Sequence, residues 1–206
     1  MKQLFPGILA MAVIVVASNI LVQHPIGAYL TWGALTYPLS FLVNDIVNRL
    51  HGVTAARRVV LVGFAVGLVS SVIGTQIVGE FGPLVTLRVA LGSGVAFLVG
   101  QLLDATLFDR LRRAAWWRAP LVSSLVGSVL DTMIFFTIAF SLSLSFLEPG
   151  NDLSWAATPG ALLGMGPVVP FWVSLAVADG CVKFAIAVFG LLPFRLIVAK
   201  RLASLA

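Results

Sequence analysis

The chain has 206 residues, 60% of them hydrophobic and 10% charged, with mean hydropathy +1.07. Soluble domains carry about 25% charged and about 45–50% apolar residues, so a water-soluble globule is excluded and an integral membrane protein is indicated. Thirteen Lys and Arg against eight Asp and Glu give a net charge of +5, whose placement along the chain makes it an orientation signal and excludes a nucleic-acid surface.

Apolar runs bounded by Pro, Gly and charges predict six membrane helices, at residues 4–22, 30–48, 59–78, 87–108, 120–147 and 170–192. The first run follows Lys2 and precedes the small Ala17 and Ser18, as a signal peptide would, but it is long for one and reads as a crossing. In the third run Gly63 and Gly67 form GxxxG, and Gly92, Gly94 and Gly100 stud the fourth, so backbones can approach closely there, within one chain or between two. Glu148 to Pro167 is too polar and too broken to cross, and reads as a loop carrying a short interfacial helix. Six crossings of about 20 residues leave short loops and no room for a soluble catalytic domain, so residues 1–206 form one domain.

If the first crossing starts in the cytoplasm, that side receives Lys2, Arg49, Arg57, Arg58, Arg110, Arg112, Arg113, Arg118, Arg195, Lys200 and Arg201, and the outer loops receive no cation. Both termini are then cytoplasmic. Tyr29, Trp32, Trp155 and Trp172 fall near the outer interface, and Trp116 and Trp117 near the inner one. Cys181 stands alone and reads as a small apolar residue.

The predicted crossings contain Asp45, Asp104, Asp131, Asp179, Arg88 and Lys183, with the amides Asn44, Asn48 and Gln101. Each ion near the bilayer centre costs roughly 2.5–3.5 kcal/mol, so six unpaired ions would exceed the usual stability of about 5–15 kcal/mol. They must pair, meet water or meet a polar ligand. Helical spacing pairs Asp45 with Arg49 and Asp179 with Lys183, and puts Gln101 and Asp104 on one face. At about 1.5 Å per residue, Asp131 and Lys183 both lie about 16–18 Å from the inner surface and can meet at the midplane. Asp45 and Arg88 lie closer to the interfaces, where a simple ion pair or a snorkelling side chain would serve.

The P-loop pattern, HExxH and GxSxG are absent, and His24 and His51 lie outside the crossings. Ser123, Ser124 and Ser128 have no histidine to activate them. No catalytic residue, metal ligand or cofactor is expected. What remains is a non-enzymatic carrier with a polar midplane site.

Four strings carry a resemblance: TWGALTYPLSFLVNDIVNRLHG from Thr31, RVALGSGVAFLVGQLLDATLFDRLRR from Arg88, WWRAPLVSSLVGSVLDTMIFFTIAF from Trp116 and DGCVKF from Asp179. Together they resemble the queuosine precursor transporter family, in particular its YhhQ-like proteobacterial branch. The resemblance implies import of 7-deazaguanine bases, such as 7-cyano-7-deazaguanine and its aminomethyl relative, for salvage into the tRNA nucleoside queuosine. It implies an all-α bundle of six transmembrane helices similar to the substrate-binding subunits of vitamin transporters. The family motifs map onto Asn44, Asp45, Gln101, Asp104, Asp131, Thr132 and Lys183. Where many relatives carry an acidic residue, this chain has Arg49, as that branch does.

The residues suit such a ligand. One carboxylate accepts the adjacent N–H and amine of a deazaguanine in two charge-assisted bonds, with Asp131 the first choice and Asp104 the second. Asn44, Gln101, Thr132 and Lys183 supply donors, and Phe41, Phe135 or Trp32 could stack on the base. Asn48, Arg88, Ser128 and Asp179 are further candidates. A desolvated midplane carboxylate could bring a proton in with the base. Two alternatives stay open: a substrate-capturing subunit that borrows a separate ATPase, against which the first run offers no AxxxA docking pair, and a non-transporting scaffold. The expected partners are membrane lipid and a small-molecule substrate, with monomer or homodimer undecided, in a bacterial inner membrane.

Overall fold

The computed structural model describes residues 2–79 and 82–203, so the two ends of the predicted domain and Glu80 and Phe81 lie outside the described residues. The helices are α1 (Phe5–Leu21), α2 (Trp32–Thr36), α3 (Leu39–His51), α4 (Val53–Gln76), α5 (Leu87–Leu111), α6 (Arg118–Phe140), α7 (Ser154–Ala157), α8 (Phe171–Phe189) and α9 (Leu191–Ala203). Three antiparallel hairpins of two or three residues per strand close the loops: β1 (Pro25–Ile26) with β2 (Leu30–Thr31), β3 (Val78–Gly79) with β4 (Gly82–Pro83), and β5 (Pro159–Ala161) with β6 (Val168–Pro170).

Among the described residues, α4, α5, α6 and the joined run Phe171–Arg201 are long and apolar enough to cross a membrane, and α1 is a shorter apolar helix. Their outward faces are apolar: Leu61, Val69, Ile73, Val129, Met133, Phe184 and Phe189 are all exposed. Polar and charged side chains fill much of the interior. That inversion is what lipid as solvent selects, since backbone polar groups are satisfied within each helix and apolar side chains face hydrocarbon.

The predicted crossing at residues 30–48 is not one helix. Pro38 has no N–H to donate, so the ladder breaks after α2. Ser40 and Phe41 instead reach back three residues, to the carbonyls of Tyr37 and Pro38 at 3.0 and 3.2 Å. The run 120–147 also ends early, since α6 stops at Phe140 and residues 142–147 form a 3-10 segment. The last run is continued by α9 beyond a joint at Gly190, three residues before Pro193, and Phe194 and Val198 pack on Phe108 and Ala119. The loop expected between Glu148 and Pro167 is present, with α7 as its short helix.

Small residues set the packing. A Cβ on Gly63 would sit 2.6 Å from Met11, and one on Gly67 would sit 3.2 Å from Val15, so the GxxxG pair seats α1 of the same chain. Met11, Val15, Val47, Ala56, Val59, Val60, Phe97 and Ala105 form the apolar core between α1, α3, α4 and α5. The most extensive pairing of helices is between α5 and α6, which meet through Gly92, Gly100 and Gly127. At Gly52, φ is +86°, a conformation that favours glycine and turns the chain from α3 straight into α4.

The two ends of the bundle differ in charge. Arg112 at the end of α5 donates to the carbonyls of Asn48 and Arg49 at 3.1 and 2.7 Å, and the Arg49 guanidinium returns a bond to the Arg112 carbonyl at 2.7 Å. At the opposite end the Glu148 carboxylate accepts from the N–H groups of Leu87 and Arg88 at 3.0 and 3.1 Å, capping α5. There too Trp155 packs against Phe140 and Phe171. Cys181 is exposed on α8.

Candidate functional site

Between α3, α5, α6 and α8 the interior is polar. Lys183 on α8 stands at its centre, 4% exposed, with Nζ 2.6 Å from Asp131 Oδ2 and 2.6 Å from Asp179 Oδ2. It also donates to Thr132 Oγ1 at 2.8 Å, while Thr132 donates to Asp179 Oδ2 at 2.8 Å. The Tyr37 hydroxyl closes the cluster by donating to Asp131 Oδ1 at 2.6 Å, with Lys183 Nζ 5.3 Å from its ring centre. The deep meeting of Asp131 and Lys183, and the i,i+4 pair of Asp179 with Lys183, are as the spacing predicts.

A second carboxylate pair lies on the α3 side. Asp45 accepts from Ser124 at 2.9 Å and from Ser123 at 3.3 Å, and Ser124 Oγ is also 3.5 Å from Asp104 Oδ1. Asn44 donates to Asp104 Oδ2 at 2.7 Å and to the Gln101 carbonyl at 3.0 Å. Gln101 donates to Ser40 Oγ at 2.7 Å, and Asn48 to the Ala105 carbonyl at 2.8 Å. Asn44 Oδ1, Asn48 Oδ1 and Gln101 Oε1 are buried without a partner among the described residues. Asp45 and Asp104 have no salt-bridge cation among the described residues.

One small cavity touches both groups. It measures about 20 Å³ and is lined by Pro38, Phe41, Asp45, Ser124, Ser128 and Lys183 among others. That is room for about one water molecule. In this conformation the space between the two groups holds nothing larger than a water molecule or so.

Several expected members lie elsewhere. The predicted Asp45–Arg49 ion pair does not form, because Arg49 turns to the Arg112 carbonyl at the basic end while the α6 serines hold Asp45. Arg88 is buried at the other end, where its guanidinium donates to the carbonyls of Ile138 and Ser141 at 2.8 and 2.6 Å and ties down the end of α6. Trp32 is 52% exposed on α2, outside the polar interior, so it does not stack there. Phe135 stands edge-on to Phe136 and Phe140 in an aromatic group. Phe41 does lie at the cavity, edge-on to Tyr37.

Sequence reasoning missed Tyr37 and Ser40. The signal was a tyrosine directly before Pro38 inside an apparent crossing, since discontinuous helices in membranes persist where they line a site or are buried in protein.

A multi-pass helical bundle with buried ionisable groups in its interior is an architecture that membrane proteins use for substrate and ion pathways and for proton relays. A family profile described as "Putative vitamin uptake transporter" matches residues 31–198. The "Queuosine precursor transporter" of Escherichia coli (strain K12) is 33% identical over 206 residues, 93% of this chain and 84% of the relative. A "Probable queuosine precursor transporter" of Haemophilus influenzae is 37% identical over 170 residues, 69% of this chain and 71% of the relative. One of Bacillus subtilis (strain 168) is 26% identical over 185 residues, 80% of this chain and 70% of the relative. No solved structure matches the chain. The chain belongs to the queuosine precursor transporter family.

Proposed function

We propose that this protein imports 7-deazaguanine bases, such as 7-cyano-7-deazaguanine or its aminomethyl derivative, across a bacterial inner membrane through six crossings with both termini inside. The observation that carries the reading is the Asp131–Lys183 pair, a carboxylate and an ammonium 2.6 Å apart and almost wholly buried. A deazaguanine presents two adjacent donors that suit the carboxylate, and a carbonyl and nitrile that suit an ammonium or hydroxyl. In this reading Asp131 takes the donor edge, Lys183 and Thr132 take the acceptors, and Phe41 meets the flat face. Asp104, Asn44, Gln101 and Ser128 line the volume that opens when the cavity widens, and Asp179 holds Lys183 in place.

Coupling to protons belongs to the same proposal. Asp45 and Asp104 are two buried carboxylates joined through Ser124, with no salt-bridge cation among the described residues. A proton travelling on that pair would relieve the cost of moving uncompensated charge through the bilayer. Titrating 7-cyano-7-deazaguanine against the purified protein tests the substrate. Selective thermal stabilisation over guanine and an unrelated vitamin is expected by mass action, and no shift in folded protein overturns the assignment.

A further inference from the structure

Tyr37 sits where the second helical run is broken. Its N–H bonds to the Gly33 carbonyl at 2.9 Å as the last of α2, and Pro38 follows. The ring stands against Phe41 and Phe97, with centroids 6.3 Å away in each case, and its hydroxyl reaches across to Asp131 on α6. Tyr37 is itself partly exposed, whereas Asp131 beneath it is 2% exposed.

Asp131 has little of its surface left for a ligand. Lys183 holds Oδ2 and Tyr37 holds Oδ1. On the α5 side the backbone of Gly100 presses close, since a Cβ there would lie 2.9 Å from the Asp131 Cβ. Lys183 is anchored twice more, by Asp179 and Thr132, and α5 and α6 are locked together through their glycines. Of the groups covering Asp131, Tyr37 alone rides on a short helix with a proline break behind it. The helix α2 is five residues long and rests on α1 through Gly33, whose Cβ would meet the Ser18 carbonyl at 2.8 Å.

We propose that Tyr37 is the specificity plug of the site: its hydroxyl occupies on Asp131 the acceptor position that the N–H edge of an incoming base takes, and only a ligand with a donor there displaces it. The inference rests on the reading of Asp131 as the substrate's carboxylate. A ligand must outbid a short hydrogen bond to a charged group, so one lacking a donor at that position gains nothing by entering. When the base binds, Tyr37 swings away by rotation at the Tyr37–Pro38 break, which absorbs the change without disturbing α3. The energy of that displaced bond is subtracted from the affinity, and a chain without the hydroxyl recovers it.

The test uses the full chain in detergent, with Tyr37→Phe and Asp131→Asn beside the unaltered protein. Affinity for 7-cyano-7-deazaguanine and carbodiimide labelling of Asp131, read by peptide mass spectrometry, are measured on the unaltered protein and on Tyr37→Phe. Asp131→Asn is measured for affinity alone. Tyr37→Phe is expected to bind at least about tenfold tighter, because a hydrogen bond to a charged group is worth roughly ten- to a hundredfold. Without ligand, its Asp131 is expected to label several-fold faster. Weaker binding by Tyr37→Phe makes the hydroxyl a direct substrate contact and overturns the plug, as does labelling equal to that of the unaltered protein. Loss of binding in Asp131→Asn supports the substrate reading. Unchanged affinity there overturns that reading, and the ligand-free labelling then decides by itself whether Tyr37 shields the carboxylate.

Discussion

Gly127 on α6 faces Gly100 on α5 so closely that a Cβ on Gly127 would lie 2.9 Å from the Gly100 carbonyl oxygen. Two helices thus meet backbone to backbone at the level of the buried carboxylates. The same missing Cβ atoms leave room for Asp131 beside Gly100, and for Asp104 and Phe41 beside Gly127. The polar interior exists in this form because these two positions carry no side chain.

Gly127→Ala should therefore force α5 and α6 apart. Its methyl would meet Phe41 Cε1 at 3.0 Å and Asp104 Cβ at 3.1 Å besides the carbonyl, and none of these is the free end of a flexible chain. Overpacking of this kind costs about 1–3 kcal/mol. A lowered thermal midpoint in detergent, with loss of ligand stabilisation, is the expected result; an unchanged midpoint would show that the helices separate freely.

Lys183→Met should be among the most damaging substitutions. It strands Asp131 and Asp179, each of which now lies 2.6 Å from the ammonium. Removing one partner of a buried pair costs about 3–5 kcal/mol. Adding Asp179→Asn to Lys183→Met should restore part of the loss, since the two residues act as a unit. A double variant less stable than Lys183→Met would contradict the pairing.

Glu148→Ala removes the carboxylate that caps the first two N–H groups of α5, leaving the Thr86 hydroxyl on the Val89 N–H. The carboxylate accepts from the Leu87 and Arg88 N–H groups and from Asn151 Nδ2 at 3.2 Å, so one side chain ties the loop after α6 to the start of α5. The expected cost is about 0.5–2 kcal/mol. Faster proteolysis within residues 142–157 should accompany it. Affinity for the base should hold, and a large loss of affinity would extend the site to this end of the bundle.

Uptake into proteoliposomes should rise when the outside is made acidic relative to the inside. Replacing both Asp45 and Asp104 by Asn should abolish that response, and any exchange of the base that remains, weakened by the loss of the Asp104 carboxylate from the site lining, should be indifferent to the gradient. Uptake indifferent to the imposed gradient in the unaltered protein would end the proton proposal.

Much of the fold was legible in the order of residues. Composition excluded a soluble domain, and five of the six apolar runs coincide with long or fairly long helices, within a few residues at most ends. The run at 30–48 was misread because hydropathy averages over Tyr37 and Pro38, while a single missing N–H decides whether the ladder continues. Depth arithmetic brought Asp131 and Lys183 together, and i,i+4 spacing joined Asp179 to them, because a helix fixes both rise and face. The same spacing failed for Asp45 and Arg49. There the helix offered a local partner, and contacts from α6 and from Arg112 offered better ones.

By itself the sequence determined the environment and the inventory: a lipid-facing exterior, a few ions too costly to leave unpaired, and motifs that place the chain in its family. Which ions meet, what covers them and how wide the space between them is were decided only by tertiary packing. Distances between helices depend on where side chains are absent, as at Gly100 and Gly127, and on backbone breaks such as Tyr37–Pro38. Both are pairwise properties of segments far apart in the chain, and no local pattern encodes the partner.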